Sequence, residues 1–182
     1  EPYSTDTVDV FQEGTVYPGV KLFNKGKLVD DIYKMCIANS RVPNSVAGDI
    51  NAQAIGVRAG ATALKRILSK YGIKKFRAAA ESIFDAGELI VKNYLKKIPN
   101  GEYSGSGQMD SNGVEPGKVP FDLKVIIEDE KVILDMSNAP PQQNGPINCP
   151  LPSTVSTARV AMSMLAGSNE APNEGFFRPI EV

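Results

Sequence analysis

The chain has 182 residues, 42% of them hydrophobic and 23% charged, and its formal net charge is −1. That balance is the balance of a globular chain long enough for one domain, and it excludes a nucleic-acid surface, because no basic cluster exceeds pairs such as Lys74-Lys75 and Lys96-Lys97. Histidine is absent, so neither a Ser-His-Asp or Cys-His nucleophile nor a histidine-ligated zinc or iron centre can be built from these residues alone.

Residues 1–26 read as extended and irregular: Thr7 to Phe11 alternates, and Gly14, Pro18, Gly19 and Gly26 punctuate the remainder of the segment. A first helix is predicted over residues 29–39, with Leu28, Ile32, Met35 and Cys36 on one stripe and Asp30 and Asp31 at the N-terminal end. Pro43 breaks the chain, and Asn44 or Ser45 is placed to cap a second helix that ends near Tyr71-Gly72. Its apolar series (Val46, Ile50, Val57, Ala61, Leu64, Leu68) is filled in with alanine and glycine, which predicts burial on more than one face. A third helix is predicted over residues 73–97, joined to the second at Gly72 as an antiparallel hairpin.

Pro99-Asn100-Gly101 then stops the helix, and three strands come next. Residues 102–109 form a weak one, diluted by Gly105 and Gly107; residues 121–127 and 131–136 are strong and pair through Glu128-Asp129-Glu130. Ser153 or Thr154 is placed to cap a last helix over residues 155–166, ending at Gly167. The fold class is therefore α+β: an antiparallel helical hairpin packed against a small, mainly antiparallel sheet, with a further C-terminal helix. The expectation is a single domain over residues 1–182, with a helical part at 27–98 and a sheet-plus-helix part at 99–182.

Few motifs carry chemistry on their own. Gly105-Ser106-Gly107 lacks the third glycine and the following helix of a dinucleotide fingerprint, and no P-loop occurs. Asp110 to Gly113 reads as a turn, since Phe121 stands where a calcium loop needs a glutamate. Cys36 and Cys149 lie far apart and read as reduced thiols of a cytoplasmic protein; Cys149 precedes a helix but has no base beside it. No apolar run approaches the roughly 20 residues that span a bilayer, and no signal-peptide pattern opens the chain. Asp49 and Gln53 share a helix face and serve either as hydrogen-bond anchors or as cavity lining. Glu13 and Lys21 are an acid and a base in an irregular segment, with a surface ion pair as the plainer alternative. Two loops combine backbone-restricting residues with amide or charged side chains: Asn144-Gly-Pro-Ile-Asn148-Cys-Pro150 and Asn173-Glu-Gly-Phe-Phe-Arg178-Pro179. Such loops suit a binding surface, and they equally suit two ordinary turns bracketing a helix.

Six stretches in order carry a resemblance that covers essentially the whole chain: DVFQEG from Asp9, PGVKLF from Pro18, ANSRVP from Ala38, GDINAQ from Gly48, GPINCP from Gly145 and NEGFFRPIEV from Asn173. Together they resemble the hydantoinase B/oxoprolinase family, which includes the large subunits of acetone and acetophenone carboxylases. The resemblance implies an interior portion of a longer subunit. Its hydantoinase A-like partner uses ATP and magnesium to activate a small substrate, either a cyclic amide or a ketone-derived enol phosphate. It also implies a divalent metal on a histidine-rich segment upstream, outside this chain, and an isolated chain without activity. The site residues expected on this basis are Glu13, Lys21 and Asp49 as catalytic groups and Asn148 and Arg178 as substrate-binding groups, with no metal ligand among them. Lys21 and Arg178 would stabilise oxyanion or phosphate charge, Asn148 would donate a hydrogen bond, and Glu13 or Asp49 would orient a neighbour or act as a base. The alternative is a non-catalytic scaffold or subunit-assembly domain, consistent with the missing histidines and the lack of an acid/base dyad at recognisable spacing.

Overall fold

The computed structural model describes residues 7–167 and 171–182. Its longest helical element is interrupted once, at Gly72, whose φ of 76° and ψ of 157° leave the helical region. Only glycine takes that conformation readily. The chain divides there into two compact units, one up to Gly72 and one from Ile73 onward.

The first unit begins with a short helix, α1 (Val10–Glu13). The sequence pattern predicts extended chain here; local capping overrides the alternation. Asp9 Oδ1 accepts from the Phe11 and Gln12 amides at 2.9 and 3.2 Å, and Gln12 Oε1 accepts from the Val8 amide at 2.7 Å. A two-residue hairpin comes after it, β1 (Phe23–Asn24) against β2 (Lys27–Leu28). Lys25 and Gly26 both take left-handed φ, 49° and 82°, the pattern of a tight hairpin turn whose twist matches its strands. Helix α2 (Asp30–Ala38) comes next, close to its predicted span. Arg58, on the long helix α3 (Pro43–Leu95), lies 4.8 Å over the Phe23 ring and donates to the Gly26 carbonyl at 3.4 Å, pinning the hairpin.

Two expectations for α3 are corrected. The helix starts at Pro43 rather than behind a cap at Asn44 or Ser45, because proline's fixed φ and missing amide suit the first helical position. Nor are residues 43–71 buried on more than one face: Ile55 and Val57 are 65% and 75% exposed, and a Cβ added at Gly48, Gly56 or Gly60 would meet nothing within 4 Å. Small residues permit a close neighbour but do not supply one.

The second unit packs residues 73–95 of α3 against a four-stranded sheet. Its strands are β3 (Gly101–Ser111), β4 (Pro116–Glu128), β5 (Lys131–Asp135) and β6 (Ile180–Glu181), neighbours in that order. The β4–β5 turn is tight, pairing Glu128 with Lys131 around Asp129 at φ 54°. Asn100 clips it by donating to Asp129 Oδ1 at 2.9 Å and accepting from the Asp129 amide at 2.8 Å. At the β3–β4 tip, Asn112 is buried and its Oδ1 accepts from the Val114 and Glu115 amides, so the segment is a side-chain-closed turn, as its sequence predicts. β6 adds in parallel to β5, a pairing the local pattern does not announce.

Helix α4 (Leu151–Ala166) begins earlier than its pattern predicts, without a side-chain cap, because Pro152 pre-forms the first turn. It ends as expected at Gly167, which is left-handed. One core cluster joins Val91 and Leu95 of α3, Ile127, Val132 and Leu134 of the sheet, Ala158 and Met162 of α4, and Phe176 from the last loop. The class is α+β, as the sequence implies. No described helix is long and apolar enough to cross a membrane.

Candidate functional site

Every residue from Asn173 to Pro179 can be followed to a contact in the second unit. Asn173 Oδ1 accepts from the Gly175 and Phe176 amides at 2.9 and 3.3 Å, closing the turn, while its Nδ2 donates to the Ile83 carbonyl of α3 at 3.2 Å. Gly175 presses its backbone against Phe84, and a Cβ there would collide with the Phe84 carbonyl and Cα. Gly87 makes the reciprocal allowance on the helix, leaving room for the Asn173 amide. With the backbone seated so closely, Phe176 enters the core at 1% exposure. Burying a phenyl ring completely contributes about 1.5–3 kcal/mol. Phe177 meets Phe176 edge-on at 5.4 Å and carries the Arg159 guanidinium 4.6 Å above its face. Finally, the Pro179 carbonyl accepts from the Val132 amide, setting the register of β6.

Arg178 engages three carboxylates on consecutive turns of α3: Glu81 and Asp85 at 2.9 Å and Glu88 at 3.1 Å. Glu88 above all, then Glu81 and Asp85, raise the guanidinium pKa still further above its ordinary value. Glu88 also holds Lys92 at 2.8 Å, and Lys92 and Lys96 both reach Glu130 beyond β4. Lys92, then Arg178, lowers the Glu88 pKa; Lys96, then Lys92, lowers that of Glu130.

The Asn144–Pro150 loop is closed from within. Asn148 donates to the Gln143 and Gly145 carbonyls and accepts from the Gln143 amide, all at 2.8 Å. Gly145 lies against the Asn112 carbonyl, where a side chain would not fit, so the loop is seated on the β3–β4 tip. Cys149 is exposed.

The five expected residues fall in different units. Glu13 ends α1, and its side chain lies outside the described residues. Lys21 and Asp49 are exposed, and their side chains make no hydrogen bond or ion pair among the described residues. Asn148 and Arg178 lie in the second unit, each taken up by the contacts above. The groups that local reasoning passed over are the carboxylate column Glu81, Asp85, Glu88 and the stacked Arg159. The i, i+4, i+7 spacing of the column was the available signal. A metal centre finds no fit here: among the described residues no three Asp, Glu or Cys gather as a ligand set, and the one carboxylate column is engaged by Arg178.

Comparison with known proteins supplies what the geometry does not. The family model described as Hydantoinase B/oxoprolinase matches residues 2–182. A relative from Pseudomonas sp. (strain NS671), named for the B component of a D-/L-hydantoinase, is 29% identical, with 97% of this chain and 32% of that protein covered. The beta chain of the caprolactamase of Pseudomonas jessenii is 27% identical, with 99% and 31% covered. The crystal structure of the ATP-dependent caprolactamase from Pseudomonas jessenii superposes with a TM-score of 0.85 at 26% identity, covering 99% of this chain and 31% of that one. A nucleotide-free acetone carboxylase gives 0.84 at 17% identity over 98% and 25%, a likeness of fold alone. The chain thus spans about a third of the length of the curated relatives it matches.

Proposed function

The chain belongs to the hydantoinase B/oxoprolinase family, and from that membership we propose that it forms part of the B-type component of an ATP-dependent enzyme that opens a cyclic amide. The observation that carries this reading is near-complete coverage of the chain by two relatives named for hydantoin and lactam hydrolysis. Ketone carboxylation is the lesser reading, because the acetone carboxylase likeness bears on fold alone. On this proposal an A-type partner in the cytoplasm binds ATP and magnesium and activates the substrate, and any divalent metal is held outside these residues. Lys21 stabilises developing negative charge, and Glu13 or Asp49 orients or deprotonates a neighbour. Asn148 and Arg178 border the substrate through loops that their own hydrogen bonds keep rigid.

The test is an assay of the assembled enzyme, with the A-type partner and ATP, against a hydantoin, a lactam, and a ketone with bicarbonate. Ring opening coupled to ATP consumption is the expected result; carboxylation without ring opening would reverse the order of the two readings. Lys21→Ala and Asp49→Asn should each lower the rate by at least about tenfold. A smaller loss from both would favour a scaffold, the reading that the internal engagement of Asn148 and Arg178 supports.

A further inference from the structure

A groove of about 560 Å³ runs between α4 and the Asn173–Pro179 loop, bordered by Arg159, Val160, Met164, Phe176 and Phe177 among others. Its volume falls within the range of roughly 300–1,000 Å³ usual for small-ligand sites. We propose that this groove binds a small carboxylate with an apolar body. The anion would meet the Arg159 guanidinium, and the apolar part would lie along Val160, Met164 and Phe177.

The placement of Arg159 carries the proposal. Its guanidinium carbon lies over the Phe177 ring, 4.6 Å from the centroid, which holds the charged group at the border of the groove. Its ion pair with Glu174 spans 3.6 Å, beyond hydrogen-bond distance, and the Glu174 side chain is 71% exposed. Among the described residues, therefore, none of its side-chain donors makes a hydrogen bond. Beside this fork the α4 face is apolar and wetted: Val160 is 54% and Met164 78% exposed. A planar fork with open donors pairs most favourably with a carboxylate, in bidentate fashion. The apolar wall selects a ligand with hydrocarbon attached, since covering it releases water. A bare phosphate would meet one cation and gain nothing from the wall. Glu174 is the internal competitor, and a bound carboxylate would displace it into solvent. The site stands on this geometry alone and does not depend on which reaction the assembled enzyme performs.

Hexanoate is a suitable probe, titrated into the 182-residue chain with amide chemical shifts as the readout. Saturable shifts are expected at residues 156–164 and 174–177. Glu174→Gln should tighten hexanoate binding several-fold by removing the competitor, and Arg159→Gln should weaken it by roughly tenfold or more. Inorganic phosphate and hexylamine should produce no saturable shift in those residues. Absence of saturation with hexanoate, equal binding of phosphate, or a dissociation constant unmoved by Glu174→Gln would each overturn the proposal. Glu174 is exposed, so that variant tests the idea even if Arg159→Gln fails to fold.

Discussion

Gly175→Ala adds one methyl group at a point where the loop backbone already touches helix α3. Gly175 does not take a left-handed φ, so the substitution imposes no backbone strain and its effect is steric. The new Cβ would collide with the carbonyl, carbonyl carbon and Cα of Phe84. These are backbone atoms of a helix and cannot rotate aside as a flexible side chain would. The loop must lift instead, and Phe176, 1% exposed in the wild type, lifts with it. Overpacking of a tight contact costs about 1–3 kcal/mol, and full loss of a buried phenyl costs about 3–5 kcal/mol. Partial withdrawal of Phe176 places the expected destabilisation at about 2–4 kcal/mol. For a unit of this size, that lowers the melting temperature by on the order of 10 °C. Thermal unfolding followed by circular dichroism measures it. Amide exchange provides a second readout, since the Val132 amide donates to Pro179 and should exchange faster once the loop lifts. Gly56→Ala is the control: its Cβ would meet nothing within 4 Å, and alanine favours a helix over glycine by about 1 kcal/mol. The reasoning fails if Gly175→Ala melts within a degree or so of the parent.

Arg178→Gln should lower the melting temperature at low salt, with the gap to the parent closing at molar salt, because the lost contacts are partly exposed ion pairs; a salt-independent loss would contradict this account. Stability should fall in acid: Glu88, Glu130 and Asp135 have pKa values lowered from 4.5, 4.5 and 3.8 on folding. A lowered carboxylate stabilises fully above its ordinary pKa and loses that contribution as pH drops through the folded value. The decline therefore begins below about pH 5, and Glu88→Gln with Glu130→Gln should flatten it in urea titrations at a series of pH values. Asn112→Ala leaves the Val114 and Glu115 amides without their acceptor at a buried turn, and should cost about 1–3 kcal/mol in chemical denaturation.

Much of the fold was legible because its signals are local. Gly72 and Gly167 end helices through backbone conformations that other residues resist. The strands about Asp129 are short apolar runs, Val125 to Ile127 and Val132 to Leu134, joined by a polar link, and Asn112 closes its own turn. What escaped is of two kinds. Asp9 with Gln12 formed a helix where alternation suggested a strand, and prolines replaced the expected side-chain caps at Pro43 and Pro150-Leu-Pro152. In these cases one local preference beat another of similar size. The β6 pairing and the exposure of residues 43–71 escaped for a different reason, since each depends on what lies across from the segment and a segment does not encode its own partner.

The Asn173–Pro179 loop shows where that limit falls for the candidate site. Its unusual composition was visible, and a rigid loop presenting an arginine was a fair inference from it. The meaning of the arginine was not visible, because Glu81, Asp85 and Glu88 are about ninety residues away in sequence and their own spacing reads as an ordinary solvated helix face. Joined, the two patterns explain each other. Three carboxylates on one face would repel in isolation, and Arg178 offsets that repulsion while anchoring the chain beyond Phe176. The same anchoring turns Phe177 outward beneath Arg159, so the residues that fix the loop to α3 also build the wall of the groove beside α4. A substitution that loosens the loop should therefore weaken hexanoate binding even where it touches none of the groove's lining. Gly175→Ala makes that connection measurable: destabilisation with unchanged hexanoate affinity would separate the two roles.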